Sequence, residues 1–157
     1  MNTTAHTTAR TPMAFVQAVV WAYTQRGLSA DGALRKAQIA PSDLAQPTAR
    51  IRAAQFERLC AAAMQELDDE APGWFDRRLP WGSYGLLARA SSDAPTLGVA
   101  LKRWCRHHGL LTQSVRLTLT ESAGQVRVAI AERAPLPPPV RELALLSLLR
   151  NVHGLAC

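Results

Sequence analysis

Lysine is scarce in this chain: Lys36 and Lys102 are the only two among 18 basic side chains, so nearly all the positive charge is arginine. Twelve acidic residues leave a net charge of +6, a balance that suits a polyanionic partner. The arginines are nevertheless scattered through every segment rather than gathered in one stripe, so a solvated surface is the plainer expectation. Cysteine is equally sparse. Cys60, Cys105 and Cys157 are odd in number and far apart, which excludes a paired zinc or redox motif and fits free thiols in a reducing compartment. Long apolar runs are missing too. No stretch approaches the ~18 residues a bilayer span requires.

Enzyme signatures are likewise lacking: there is no glycine-rich phosphate loop, no HExxH, no GxSxG and no carboxylate pair with an obvious partner. Neither catalysis nor a cofactor is expected. What remains is ample material for a core, with 48% hydrophobic and 19% charged residues in 157 positions. That length suits one domain of roughly 100–200 residues. The polar first dozen residues look like a frayed leader over 1–12 rather than a signal peptide, so 13–157 is expected to be a cytoplasmic globular domain.

Periodicity supplies the elements. Val16, Val19, Val20 and Tyr23 predict a helix over about 13–26 ending at Gly27, and Ser29 is placed to cap a short helix carrying Ala33, Leu34 and Ala37. Pro41-Ser42-Asp43 opens a turn or a single helical turn, and a connector continues through Pro47. Phe56, Leu59, Cys60, Ala63, Met64 and Leu67 mark the buried face of a third helix, 53–67, closed by Asp68-Asp69-Glu70 and Pro72-Gly73. An irregular aromatic stretch, 74–92, holds a short helical run at Leu86–Ala90. Asp93 or Thr96 can cap a helix over about 96–108 that closes at Gly109 and aligns Leu97, Leu101, Trp104 and His108.

The period then falls to two. Val115, Leu117 and Leu119 alternate with polar residues, Ser122-Ala123-Gly124 turns the chain, and Val126, Val128 and Ile130 return. A hairpin over about 113–131 follows, and two strands alone need helices or further strands on their apolar face. A proline-rich connector leads to a last helix, 140–152, with Leu145, Leu148, Leu149 and Val152 expected inward. The fold class is α+β, mostly helical, with a small antiparallel element packed against helices.

Trp74, Phe75, Trp81 and Tyr84 can either wall a pocket or plug the core beneath a loop. His107 and His108 are adjacent, so helical geometry points them about 100° apart and disfavours a joint metal site with Cys105. His108 is placed at the core rim and His107 in solvent.

The run Leu79-Pro80-Trp81-Gly82-Ser83-Tyr84-Gly85-Leu86-Leu87-Ala88-Arg89-Ala90, followed by Ala94-Pro95-Thr96-Leu97-Gly98-Val99-Ala100-Leu101-Lys102-Arg103, resembles the N-terminal arabinose-binding-like domain of AraC/XylS-family regulators. A Gly-Ser-aromatic helix, a Thr-Leu-x-x-Ala-Leu helix and an amphipathic hairpin occur in the family's order. Upstream, Ile39-Ala40, Arg50-Ile51-Arg52 and Phe56-Glu57-Arg58-Leu59 are also similar, so the likeness spans about 13–155. Asp69-Glu70-Ala71-Pro72 departs from the Asp-Pro pair common at that corner. The resemblance implies a bacterial, effector-sensing and dimerising domain of a transcription regulator, truncated before a helix-turn-helix half that would contact DNA.

The pocket, if residues 74–108 form it, is expected to use Trp81, Tyr84, Arg89, Trp104 and His108. The rings would be walls, and Arg89 or His108 the polar anchor for a small-molecule effector. The opposing expectation packs Trp104 on the hairpin and leaves no cavity. Two other classes compete: a free-standing interaction module docking through the 140–152 helix, and a nucleic-acid binder using Arg103, Arg106 and His107.

Overall fold

The computed structural model describes residues 9–46 and 48–157; most of the expected leader and Pro47 of the expected connector lie outside the described residues. The chain divides after Leu67 into two compact units. The first opens with strand β1, Arg10–Pro12, followed directly by helix α1, Met13–Thr24. Strand β2, Arg50–Arg52, pairs antiparallel with β1, Thr11 facing Ile51. The expected leader thus overlaps this strand at its last three residues. Helix α2 is Asp31–Ala37, a single 3-10 turn fills Pro41–Ala45, and helix α3 is Ala53–Glu66.

Local chemistry explains the boundaries. Gly27 adopts φ +66° beyond α1, a left-handed conformation open to glycine at little cost. Ser29 Oγ accepts from the Asp31 amide at 3.1 Å and so satisfies one of the free N–H groups of α2. Gln55 does the same for α3, its Oε1 accepting from the Arg52 amide while its Nε2 donates to Gln38 O at 2.7 Å. Met13, Val16, Ala33, Leu59 and Ala63 are wholly shielded from solvent and form the apolar interior of this unit. Tyr23, also buried, donates to Glu66 Oε2 at 2.7 Å, and Lys36 pairs with Glu66 Oε1 at the same distance. Burial first, and then the Glu66 carboxylate, raise the Tyr23 phenol above its ordinary pKa.

The second unit holds helix α4, Ser83–Ser92, helix α5, Leu97–Leu111, the hairpin of strands β3, Val115–Ser122, and β4, Gln125–Glu132, and helix α6, Pro138–Ala156. Leu117 pairs with Ile130 and Leu119 with Val128, which brings the apolar residues of the two strands onto one face. Helices supply the cover the hairpin needs. Leu87 of α4, Trp104 and Cys105 of α5 and Leu117 of β3 form a buried cluster, against which Val128, Ile130, Val152 and Leu155 pack.

Several expected boundaries shift. Helix α5 continues through Gly109 to Leu111, because that glycine has ordinary helical geometry and the chain breaks only at the extended Thr112. Thr96, not Asp93, caps its start, with Oγ1 accepting from Val99 N at 3.3 Å. Helix α6 begins two residues before Val140, since proline in a first turn loses no helical hydrogen bond. Its inward stripe is Val140, Leu143, Ala144 and Leu148; Leu149, expected inward, is 48% exposed.

Candidate functional site

The acidic triplet after α3 builds the loop that leads into α4. Asp69 is 1% exposed, and its Oδ1 accepts from the amides of Ala71 (3.1 Å) and Leu79 (3.0 Å) while Oδ2 accepts from Gly73 (3.4 Å). Asp68 Oδ1 takes the Trp81 amide at 3.0 Å. Glu70 reaches across to the start of α4, Oε1 accepting from Gly82 N (2.8 Å) and Oε2 from Tyr84 N (2.6 Å). A carboxylate there satisfies free amides and complements the positive end of the helix dipole. The departure from the Asp-Pro pair therefore leaves a fully hydrogen-bonded corner.

That corner positions Tyr84, whose ring stacks on Trp104 with centroids 6.2 Å apart and planes 22° from parallel. The Tyr84 hydroxyl lies 3.2 Å from His108 Nε2, and Phe75 meets the same imidazole edge-on at 6.3 Å. His108 is buried rather than at the core rim, and its Nδ1 has no hydrogen-bond partner among the described residues. Desolvation lowers its pKa to about 4, so the ring is neutral near pH 7. Burial raises the Tyr84 phenol, with the Glu70 and Asp69 charges adding to the effect.

Of the five residues expected to form a pocket, Tyr84, Trp104 and His108 come together. Trp81 is 52% exposed, and Arg89 lies on the exposed side of α4. Trp104 packs against Leu87, Cys105 and Leu117, the arrangement expected of a core plug.

Open space lies on the other side of α5. A groove of about 800 Å³ runs between the end of that helix and β3. Arg106, His107, Gly109 and Leu110 line it from α5, Val115 to Thr118 from β3, and Arg133 from the residue after β4. Its floor corner is the three-residue link between helix and strand. Thr112 and Ser114 are buried there, Thr112 Oγ1 accepting from Ser114 N at 3.0 Å and Ser114 Oγ donating to Asp76 Oδ1 at 2.9 Å. Ser114 O accepts from both Arg133 N (2.8 Å) and Ala134 N (3.2 Å). These bonds fix the backbone that carries Arg116 and Arg133. His107, expected in solvent, is a half-buried wall of this groove.

Sequence reasoning missed the groove because Arg116 and Thr118 alternate with core residues and so look like an ordinary solvated strand face. The one signal available was the recurrence of arginine on both sides of the α5-to-β3 link. Cys105 also reaches the groove, where burial pushes its thiol above the usual value.

The groove lies on a mostly helical α+β unit with a small antiparallel hairpin. The chain belongs to the family of N-terminal arabinose-binding domains of AraC transcription regulators, whose model matches residues 27–157. That family is a ligand-sensing regulatory domain rather than an enzyme class. No curated protein matches the chain. Among the described residues, no helix is long and apolar enough to cross a membrane.

Proposed function

We propose that this chain senses a small-molecule effector for a bacterial, cytoplasmic transcription regulator, and that the effector binds in the groove between α5 and β3. The observation that carries the location is that groove itself: a volume of about 800 Å³ on a hydrogen-bonded corner, beside an aromatic cluster already packed as core. Family membership supports the sensory role. In such a regulator the chain would dimerise and would meet DNA through a separate helix-turn-helix domain. Effector binding would bias that domain, which requires the ligand to prefer one state of the regulator over another.

A thermal-shift screen of small molecules tests the location. A hit is expected to raise the melting temperature of the wild type but not of Thr118→Trp, whose indole fills the groove, and to be unaffected by Trp81→Phe or Arg89→Ala. The opposite pattern moves the effector to the aromatic side. That second reading rests on one observation, the unpartnered buried Nδ1 of His108, which could accept or donate one bond to a ligand entering beside Tyr84. Sedimentation of the chain at micromolar concentration tests dimerisation; a monomer with and without effector removes that part of the proposal.

A further inference from the structure

The groove is unusual in its charge. Three guanidinium-bearing residues line it, Arg106 on α5, Arg116 on β3 and Arg133 beyond β4, with His107 beside them and not one Asp or Glu among the lining residues. Carboxylates close by in sequence are engaged elsewhere. Glu132 accepts from Arg141 Nε at 2.9 Å and from the Leu136 amide. Glu121 pairs with Lys102 at 2.8 Å, and Asp76 takes the Ser114 hydroxyl. Arg141 and Arg103 of the same unit are engaged away from the groove, Arg141 with Glu132 and Arg103 with the Asp93 carbonyl. Three exposed side chains of one charge along a single concavity make it electropositive, which favours an anionic guest.

The remaining walls limit what the guest can be. Leu110, 77% exposed, gives apolar surface beside the charged residues, with Val115, Leu117 and Cys105 buried behind the wall, so the site suits an anion with an apolar body better than a bare ion. Strand β3 pairs only with β4 among the described residues, and residues 115–118 present its other edge to the groove. In an antiparallel pair, alternate residues turn their N–H and C=O groups away from the partner strand, so this edge offers backbone donors as well as acceptors. Arginine is the side chain whose flat fork matches a carboxylate or phosphate with two parallel hydrogen bonds. At the far end, Gln113 Nε2 donates to Gly109 O at 2.6 Å and so covers one free carbonyl of the α5 terminus, which would otherwise repel an anion.

We infer that the α5–β3 groove is an anion site, which takes a small organic carboxylate or phosphate carrying an apolar group, held by Arg106, Arg116 and Arg133. This rests on the groove being the effector site. It names the chemistry that site would select and predicts discrimination against neutral sugars and amides of the same size.

The test is calorimetric titration of the whole 157-residue chain with phenyl phosphate, benzoate and inorganic phosphate as anions, and with benzamide and L-arabinose as neutral probes. Phenyl phosphate or benzoate is expected to bind at least ~10-fold more tightly than benzamide and more tightly than inorganic phosphate. Arg116→Gln and Arg133→Gln are each expected to weaken it by about 10-fold, the usual scale for a charge-assisted hydrogen bond. Circular-dichroism melts of both variants check that they fold, and Arg127→Gln, on the same hairpin but outside the groove, is expected to bind as wild type.

If benzamide or arabinose binds as tightly as the anions and is blocked by Thr118→Trp, the effector reading stands and the anion inference is overturned. If no anion binds at millimolar concentration, or binding survives both arginine substitutions, the anion inference also fails. If random-sequence duplex DNA displaces phenyl phosphate with a steep salt dependence, the groove is a polyanion surface and the small-molecule assignment is overturned.

Discussion

His108 shows how one side chain's surroundings set its chemistry. Enclosed by Phe75, Tyr84 and Trp104's helix, it loses the hydration that stabilises imidazolium, and its pKa falls from 6.5 to about 4. The unfolded chain therefore takes up a proton before the folded one does. Stability from this group is complete above about pH 6.5 and is lost as the pH falls toward 4, by up to about 3 kcal/mol. Urea melts between pH 4 and 7 are expected to show that loss in the wild type and a flatter profile in His108→Phe; equal slopes would contradict the neutral, buried assignment. Sequence reading placed His108 beside Trp104 correctly, since four-residue spacing puts both on one face of α5. The depth of its burial was not legible, because it depends on Tyr84 and Phe75, which arrive from the loop held by Asp69 and Glu70.

Among the elements, α3 is the one whose sequence and structure agree most closely. Of the residues at three- and four-residue spacing, Leu59, Ala63 and Leu67 are buried and Phe56, Cys60 and Met64 half-buried, while Arg58 is exposed with a 3.2 Å hydrogen bond to Gln38. Leu59→Ala is expected to cost about 2–5 kcal/mol and Arg58→Ala under about 1 kcal/mol in urea denaturation. The reverse ranking would mean that the helix face is misassigned. The hairpin turn is less well suited to its sequence. Ala123 and Gly124 both have positive φ, +49° and +75°, as a two-residue type I′ turn demands. Alanine there suffers the steric clash that asparagine tolerates better, so Ala123→Asn should stabilise the chain by about 1 kcal/mol. A lowered denaturation midpoint would argue against that turn. The strands β1 and β2 escaped notice because each has three residues, and β1 carries a proline; neither is long enough for alternation to register. The exposed Leu149 has a similar explanation. Leu143, Leu145, Leu146, Leu148 and Leu149 crowd α6 so densely that hydrophobicity alone does not choose its inward face.

For the molecule as a whole, the resemblance carried by the motifs at 79–103 pointed to the sensory family that the match over residues 27–157 establishes. Length alone suggested one domain, and within the chain the packing gathers into two compact units. The candidate site was legible only in part. The aromatic cluster was found, but an aromatic cluster in sequence looks the same whether it lines a pocket or fills one. The groove depends on how far α5 runs beyond Gly109 and on where the next link turns the chain into β3, neither of which leaves a periodic trace. Arg106 was considered as part of an exposed basic face with Arg103 and His107, whereas Arg103 is tied to the Asp93 carbonyl and Arg106 joins Arg116 and Arg133 at the groove. The most direct test of the central claim is amide chemical-shift mapping of the chain with a bound effector or screening hit. The account predicts that the largest saturable shifts fall at Arg106, Gln113, Arg116 and Thr118. Shifts centred instead on Trp81, Tyr84 and Arg89, with 106–118 unmoved, would contradict it.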